Sequence, residues 1–273
     1  MATASISTPR LSTRSSRAVR KVLLGVLGVL GFLATWQLLP ATGIMNPEFF
    51  PYATETLSRI GTEAMDLEFW RNVGRTMTGW VVGLAIASVL AIALGTLIGL
   101  VPVLRRGTHT TVEFLRPIPS VALIPLAILA YGINLKAALV IIIFASFWQV
   151  FVQVLYGVAD IDSVARDTAQ SFGLTRVAQL RSLVLPTALP YVMTGLRLAA
   201  SVALILAVTA EMTIGNPGLG QVLMLSYNNG DKVGMFAIVI VTGVLGLIVN
   251  VIFCVIERRA LFWHQSVRGE DPV

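Results

Sequence analysis

Six long apolar runs divide this chain: Val22 to Leu39, Thr76 to Leu100, Pro117 to Tyr131, Ala137 to Val158, Pro190 to Ala210 and Val233 to Ile256. They approach or exceed the roughly 20 residues that an α-helix needs to cross a bilayer. The runs are apolar on every face, as suits a helix among lipid and other helices; barrel strands would alternate apolar and polar positions over about ten residues. The pattern predicts an all-α integral membrane protein with six transmembrane helices. Thr76 to Leu100 holds 11 Leu, Ile or Val residues and no charge. At about 0.3 to 0.6 kcal/mol each, these favour insertion by roughly 3 to 7 kcal/mol. The third run is interrupted by Arg116, Pro117, Pro119 and Pro125. A charge at a helix centre costs about 3 kcal/mol, so Arg116 is expected at the edge of its span.

The polar positions between the runs give the domain plan. Residues 1–20, rich in Ser, Thr and Arg, are expected to form a basic cytoplasmic tail without a fold. The membrane domain covers 21–257, with spans near 22–39, 76–100, 112–132, 137–158, 190–210 and 233–256, a polar segment at 159–186, and a second tail at 258–273. The first span is read as a retained helix rather than a signal peptide, because its 18 apolar residues exceed a usual signal core and no small-x-small site follows. In the loop after it, Leu57, Ile60, Ala64 and Leu67 repeat at helical spacing, which predicts an amphipathic surface helix.

Composition agrees: 56% of the residues are hydrophobic and 12% charged, far from the makeup of a soluble domain. The formal charge of +6 reads as topology. Arg10, Arg14, Arg17, Arg20 and Lys21, then Arg105 and Arg106, then Arg166, Arg176 and Arg181, then Arg258, Arg259 and Arg268 all fall on one side of six alternating spans. Arg59, Arg71, Arg75, Lys136 and Lys232 fall on the other. The positive-inside rule then places both termini and the 159–186 segment in the cytoplasm of a multi-pass plasma-membrane protein. Basic residues scattered over separate loops do not form a nucleic-acid surface.

Candidate chemistry is sparse. His109 and His264 lack companions for a metal site, and no Gly-Lys pair exists to build a phosphate-binding loop. The chain is therefore not expected to be an enzyme or to bind a cofactor. Ionisable groups within the spans reduce to Arg197 and Glu211, each open to a structural role or to gating and solute contact. The prolines of the third span free backbone carbonyls that must be satisfied by protein or water, so that helix is expected to line a pathway. Gln149 and Gln153, one turn apart, either face a solute or bond across helices. Gly95 and Gly99 are candidates for packing two copies together. "IGNPGLGQ", Ile214 to Gln221, has too many Gly and Pro residues for a regular helix and reads as an external loop, with a gate contact or a plain turn open.

The polar segment holds "DTAQSFGLTRVAQLRSLVLP", Asp167 to Pro186. Ile161, Val164, Thr168 and Phe172 give a narrow apolar stripe on a first short helix, with Asp160, Asp162 and Ser163 able to cap its start. Gly173 ends that helix in a left-handed turn, and Thr175 caps a second one that Pro186 and Pro190 are expected to stop. The pair either docks in a partner's groove or rests in lipid headgroups.

This segment resembles the signature E-A-A-x3-G-x9-I-x-L-P of ABC importer permeases. Asp167, Thr168, Ala169, Gly173, Leu183, Leu185 and Pro186 fall in its places, with Asp for Glu, Thr for Ala and Leu for Ile. "RPIPSVALIPLAILAYGI" from Arg116 and "GLRLAASVALILAVTAEM" from Gly195 are similar to segments of the nitrate, sulfonate and taurine importer permeases, over about residues 45 to 257. The resemblance implies the six-helix fold of such importers and a cytoplasmic coupling helix pair that includes Phe172. It also implies a second permease copy, a separate ATP-binding subunit that holds Mg-ATP, and an external solute-binding protein. The expected function is the membrane subunit of an ATP-driven importer of a small solute. A channel or an ion-coupled transporter working without an ATPase is the other reading.

Overall fold

The computed structural model describes residues 13–262. Expectations for 1–12 and 263–273, including His264 and Arg268, lie outside the described residues. Within them the protein is all helical. The order is α1 Thr13–Ala41, α2 Ala53–Glu63, α3 Leu67–Leu100, α4 Pro102–Leu115, a 3-10 turn Ser120–Leu123, α5 Ile124–Tyr131, α6 Leu135–Ala159, α7 Ser163–Ser171 and α8 Arg176–Gln179. A π turn Leu180–Val184, α9 Leu185–Ile214, α10 Leu219–Asn228 and α11 Lys232–Ala260 complete it. Five stretches are long and apolar enough to cross a membrane, or six when α4 and the Ser120–Tyr131 segment count as one broken span.

Helix α6 is the axis of the core and packs along both α3 and α9. Its Ile141, Val150, Val154 and Val158 are almost wholly buried, as are Ala199, Ala203, Ala207 and Ala210 on one side of α9. Small residues at that spacing let two backbones approach closely, which in a membrane supplies the van der Waals contact that holds helices together. On α3 the same device faces α6. A Cβ on Gly95 would lie 2.9 Å from Val154 Cγ1, and one on Gly99 would lie 2.9 Å from Val158 Cβ. The pairing of copies expected for these glycines is thus corrected: they seat α3 on α6 of their own chain.

Several other expectations are corrected. Helix α1 begins at Thr13, inside the tail expected to lack a fold, since extending an established helix costs far less than nucleating one. It touches the remainder near its end, where Trp36 Nε1 donates to Pro51 O at 3.1 Å and the indole meets Phe50 and Phe236. Helix α2 ends at Glu63; Leu67 belongs to α3, which Asp66 caps by accepting from Glu68 N. At 1.5 Å per residue, the 34 residues of α3 span about 51 Å, so its first turns extend beyond a hydrocarbon core of roughly 30 Å.

The third span is broken. Helix α4 and the Ser120–Tyr131 segment meet at 83° rather than forming one helix over 112–132. Pro117 and Pro119 lack N–H donors, so the helical bonding cannot continue through them; Arg116 keeps helical angles, and the chain turns extended at Pro119, with φ −63° and ψ 112°. Arg116 is the C-cap of α4 and is exposed at that break. Pro125 falls in the first turn of α5, where no donor is missed.

Candidate functional site

Two regions gather the polar residues of interest. At the turn between α7 and α8, Asp162 Oδ1 accepts from Val164 N at 2.9 Å and caps α7. Leu174 N donates to Ala169 O at 3.0 Å and Gly173 N to Gln170 O at 2.9 Å, with Gly173 at φ +71°. These two bonds close α7 in a Schellman turn, whose left-handed position favours glycine. Thr175 Oγ1 then accepts from Ala178 N to start α8, and Gln179 Nε2 donates back to Leu174 O. The turn is therefore fixed by its own bonds and needs no outside support.

Its apolar side chains nevertheless face outward. Helix α7 buries none of its residues, and Val164, Phe172 and Val177 are 69%, 80% and 74% exposed. Of the expected stripe, Ile161 alone turns into the core, just before α7 begins. Asp167 and Thr168 lie on the exposed surface and Ala169 is half-buried.

Beyond the turn the chain does not stop at Pro186. Leu185 N donates to Leu180 O, a π-type bond, and Pro186 sits in the first turn of α9. The wider turn accommodates the missing donor, so α8 runs on into α9, and Pro190 lies inside α9. This replaces the expected stop. The same end of α9 is tied to α6: Tyr191 Oη donates to Asp160 Oδ2 at 2.9 Å, and a Cβ on Gly157 would lie 2.9 Å from Ala188 Cα. Leu183 is half-buried, while Leu185 and Pro186 are exposed.

At the other end of α9 a cavity of about 740 Å³ opens between α3, α6 and α9, with Arg71, Arg75, Asn134, Ala138, Glu211 and Asn216 in its walls. Glu211 is buried, and its Oε2 accepts from Thr76 Oγ1 at 2.8 Å and from Gly220 N at 3.0 Å. The Thr76 hydroxyl accepts from Leu219 N at 3.0 Å. Leu219 and Gly220 open α10, whose N-cap residue Gly218 has no side chain. Orphan N–H groups of a helix start must find partners, and here α3 and α9 supply them. A Cβ on Gly218 would run into the Glu211 carboxyl, and one on Gly220 into the Val208 carbonyl. The glycines of "IGNPGLGQ" thus allow α10 to sit on Glu211. Only Gly215 to Gly218 form the turn; the rest opens a helix.

Arg197 lies nearer the α8 end of α9, where its Nε donates to Asn250 Oδ1 at 3.1 Å and its Nη1 lies 3.5 Å from Glu257 Oε2, both on α11. Gln149 and Gln153 are half-buried on α6. The Gln153 stem lies against Gly195, where an added Cβ would be 3.0 Å from its Cβ. Arg116 and the prolines of the third span stand apart from both regions. Thr76, Asn250 and Glu257 escaped the sequence reading. Asn250, a polar residue within an apolar run, was a readable signal, whereas nothing distinguished Thr76 from other small residues of its span.

With this geometry in place, comparison with known proteins is specific. Residues 83–261 match the family described as binding-protein-dependent transport system inner membrane component. The chain is 28% identical over 241 residues to the taurine transport system permease protein TauC of Escherichia coli, covering 86% of this chain and 88% of that one. It is 28% identical over 193 residues to the nitrate import permease protein NrtB of Leptolyngbya laminosa, covering 71% and 69%. Against the bicarbonate transport system permease protein CmpB of Synechococcus elongatus it is 28% identical over 240 residues, covering 84% and 86%. Among solved structures, an inward-facing MetNI methionine ABC transporter superposes with a TM-score of 0.63 at 20% identity, over 72% of this chain and 98% of that one. An amino acid ABC transporter superposes at 0.60 and 18% identity, over 75% and 98%.

Proposed function

Because this chain belongs to the binding-protein-dependent transport system inner membrane component family, and so is a permease subunit of an ABC importer, we propose that its α7–α8 turn receives the motion of a cytoplasmic ATPase and passes it along α9. The observation that carries this reading is the outward-facing apolar trio Val164, Phe172 and Val177 on a turn that is internally complete. A turn fixed by its own bonds transmits a push instead of absorbing it. The π turn joins it to α9 without a gap, and the Tyr191–Asp160 bond carries α6 along.

In this reading two copies of the permease enclose the pathway, both termini are cytoplasmic, and a solute-binding protein delivers solute to the other face. Mg-ATP binds at the partner ATPase, whose closure draws the coupling turns together and opens the pathway outward; hydrolysis resets it. The named relatives carry taurine, nitrate and bicarbonate, all small solutes bearing oxyanions. We assign the same class here. Arg71 and Arg75 in the cavity wall share one carboxylate, Glu68, at 3.2 and 3.0 Å, which leaves a surplus guanidinium charge at their side for an anionic solute, while Glu211, also in the walls, is taken up by Thr76 Oγ1 and Gly220 N. An ion-coupled transporter has less support, because Arg197 and Glu211 are each engaged by neighbouring helices.

Gly173→Asp tests the coupling role. Open space surrounds Gly173, so the substitution strains only the local turn and thrusts a carboxylate at the docking partner. Membrane insertion and size-exclusion behaviour are expected to persist, while recovery of the ATPase on purification and solute uptake fall. Wild-type uptake by the variant overturns the assignment.

A further inference from the structure

We propose that an anionic phospholipid of the cytoplasmic leaflet occupies the slot between α3, α4 and α6, with one acyl chain inside it and its phosphate on Arg105 and Arg106. Helix α4 buries no residue of its own and leans over a space of about 550 Å³. The walls are apolar and aromatic, with Leu94 and Ile98 on α3, Val112 and Leu115 on α4, and Phe144 and Phe151 on α6. The hydroxyl of Thr108, which also lines it, already donates to Leu104 O at 2.7 Å. Such walls suit neither a polar solute nor water.

Its dimensions select the occupant. On α6 the wall runs from Val140 to Phe151, about 16 Å at 1.5 Å per residue, which matches one leaflet of a hydrocarbon core roughly 30 Å thick. That length suits a single hydrocarbon chain lying along one leaflet.

Charge selects the headgroup. Arg105, Arg106 and His109 line a further cavity of about 540 Å³ on α4. His109 Nδ1 faces Glu113 Oε2 at 3.3 Å, whereas neither arginine has an acidic partner among the described residues. Arg105 precedes Thr108 by three residues, roughly 60° around the helix, and so borders the slot; Arg106, about 160° from Thr108, flanks the headgroup from the far side of α4. The distribution of basic residues puts this end of α4 at the cytoplasmic surface, where anionic lipids attract each nearby arginine by roughly fivefold in affinity. The proposal stands independently of the coupling reading.

Trp148 lines the slot and reports on it. The full-length protein is titrated with brominated phosphatidylglycerol or brominated phosphatidylcholine of identical chains, and the Trp148 component is taken as the difference between wild type and Trp148→Phe. Quenching of that component is expected at a mole fraction roughly five- to twenty-five-fold lower for phosphatidylglycerol than for phosphatidylcholine, as one or both arginines engage. Arg105→Gln/Arg106→Gln, at exposed positions, is expected to abolish the difference while keeping the size-exclusion profile. The proposal is overturned if Trp148 is not quenched, if both lipids quench alike, or if the double variant retains the preference.

Discussion

Replacing Thr76 by Val keeps the shape of the side chain and removes one hydroxyl, yet that hydroxyl joins three helices. In the wild type it donates to Glu211 Oε2 on α9 and accepts from Leu219 N at the start of α10, at 2.8 and 3.0 Å, with no exposure to solvent. Substitution removes a donor from a buried carboxyl group and strands a buried N–H. The N–H alone costs about 1 to 3 kcal/mol, and the lost bond to the carboxyl adds about 1 kcal/mol. A destabilisation of roughly 2 to 4 kcal/mol corresponds to a fall in Tm of about 5 °C or more for a chain of this size. Thr78, two residues on and on the opposite face of α3, bonds only to Gly74 O at an exposed position, so Thr78→Val supplies the matched control with a change of about 0.5 kcal/mol or less. The assay is thermal unfolding in detergent, paired with hydrogen exchange at α10, which is expected to open in Thr76→Val and not in Thr78→Val. If the two variants melt alike and α10 stays protected in both, the helix-capping argument is wrong.

Gly95→Val is expected to force α3 away from Val154, costing about 1 to 3 kcal/mol and lowering Tm in a way independent of protein concentration. A concentration-dependent change would return Gly95 to an interface between copies. For Arg197 and Glu257, a double-mutant cycle on Arg197→Gln and Glu257→Gln, read by thermal unfolding, is expected to show coupling of about 0.6 kcal/mol, as for polar pairs between membrane helices. Strictly additive effects would show that the 3.5 Å approach contributes nothing.

The spans were legible because hydrocarbon imposes a length and admits only helices or closed barrels, and runs apolar on every face are not barrel strands. The α7–α8 turn was legible for a different reason: Gly173 and Thr175 each specify a local backbone event that needs no distant partner. What the sequence hid was partnership at long range. Thr76 and Glu211 are 135 residues apart, and nothing local marks them as the two caps of a third helix. Gly95 and Gly99 carry a small-residue pattern that serves packing within a chain and between chains equally well. The prolines misled in opposite ways. Pro117 and Pro119 break their span more sharply than a line through the apolar run suggests. Pro186 and Pro190 break nothing, because a π turn and the early turns of α9 accommodate them. Proline marks where a donor is missing, and only the surrounding bonds decide whether the helix ends there.

The central claim is that Phe172 and its neighbours touch an ATPase. A photo-crosslinking amino acid placed at Phe172, which is 80% exposed, interrogates that contact in intact membranes, with the same residue at Met65, 89% exposed at the opposite end of the bundle, as control. On irradiation, position 172 is expected to yield a covalent adduct containing a Walker-motif ATPase, and position 65 none. An adduct only with lipid at position 172, in membranes where transport is active, would contradict the coupling account and leave α7 as a helix resting on the bilayer surface.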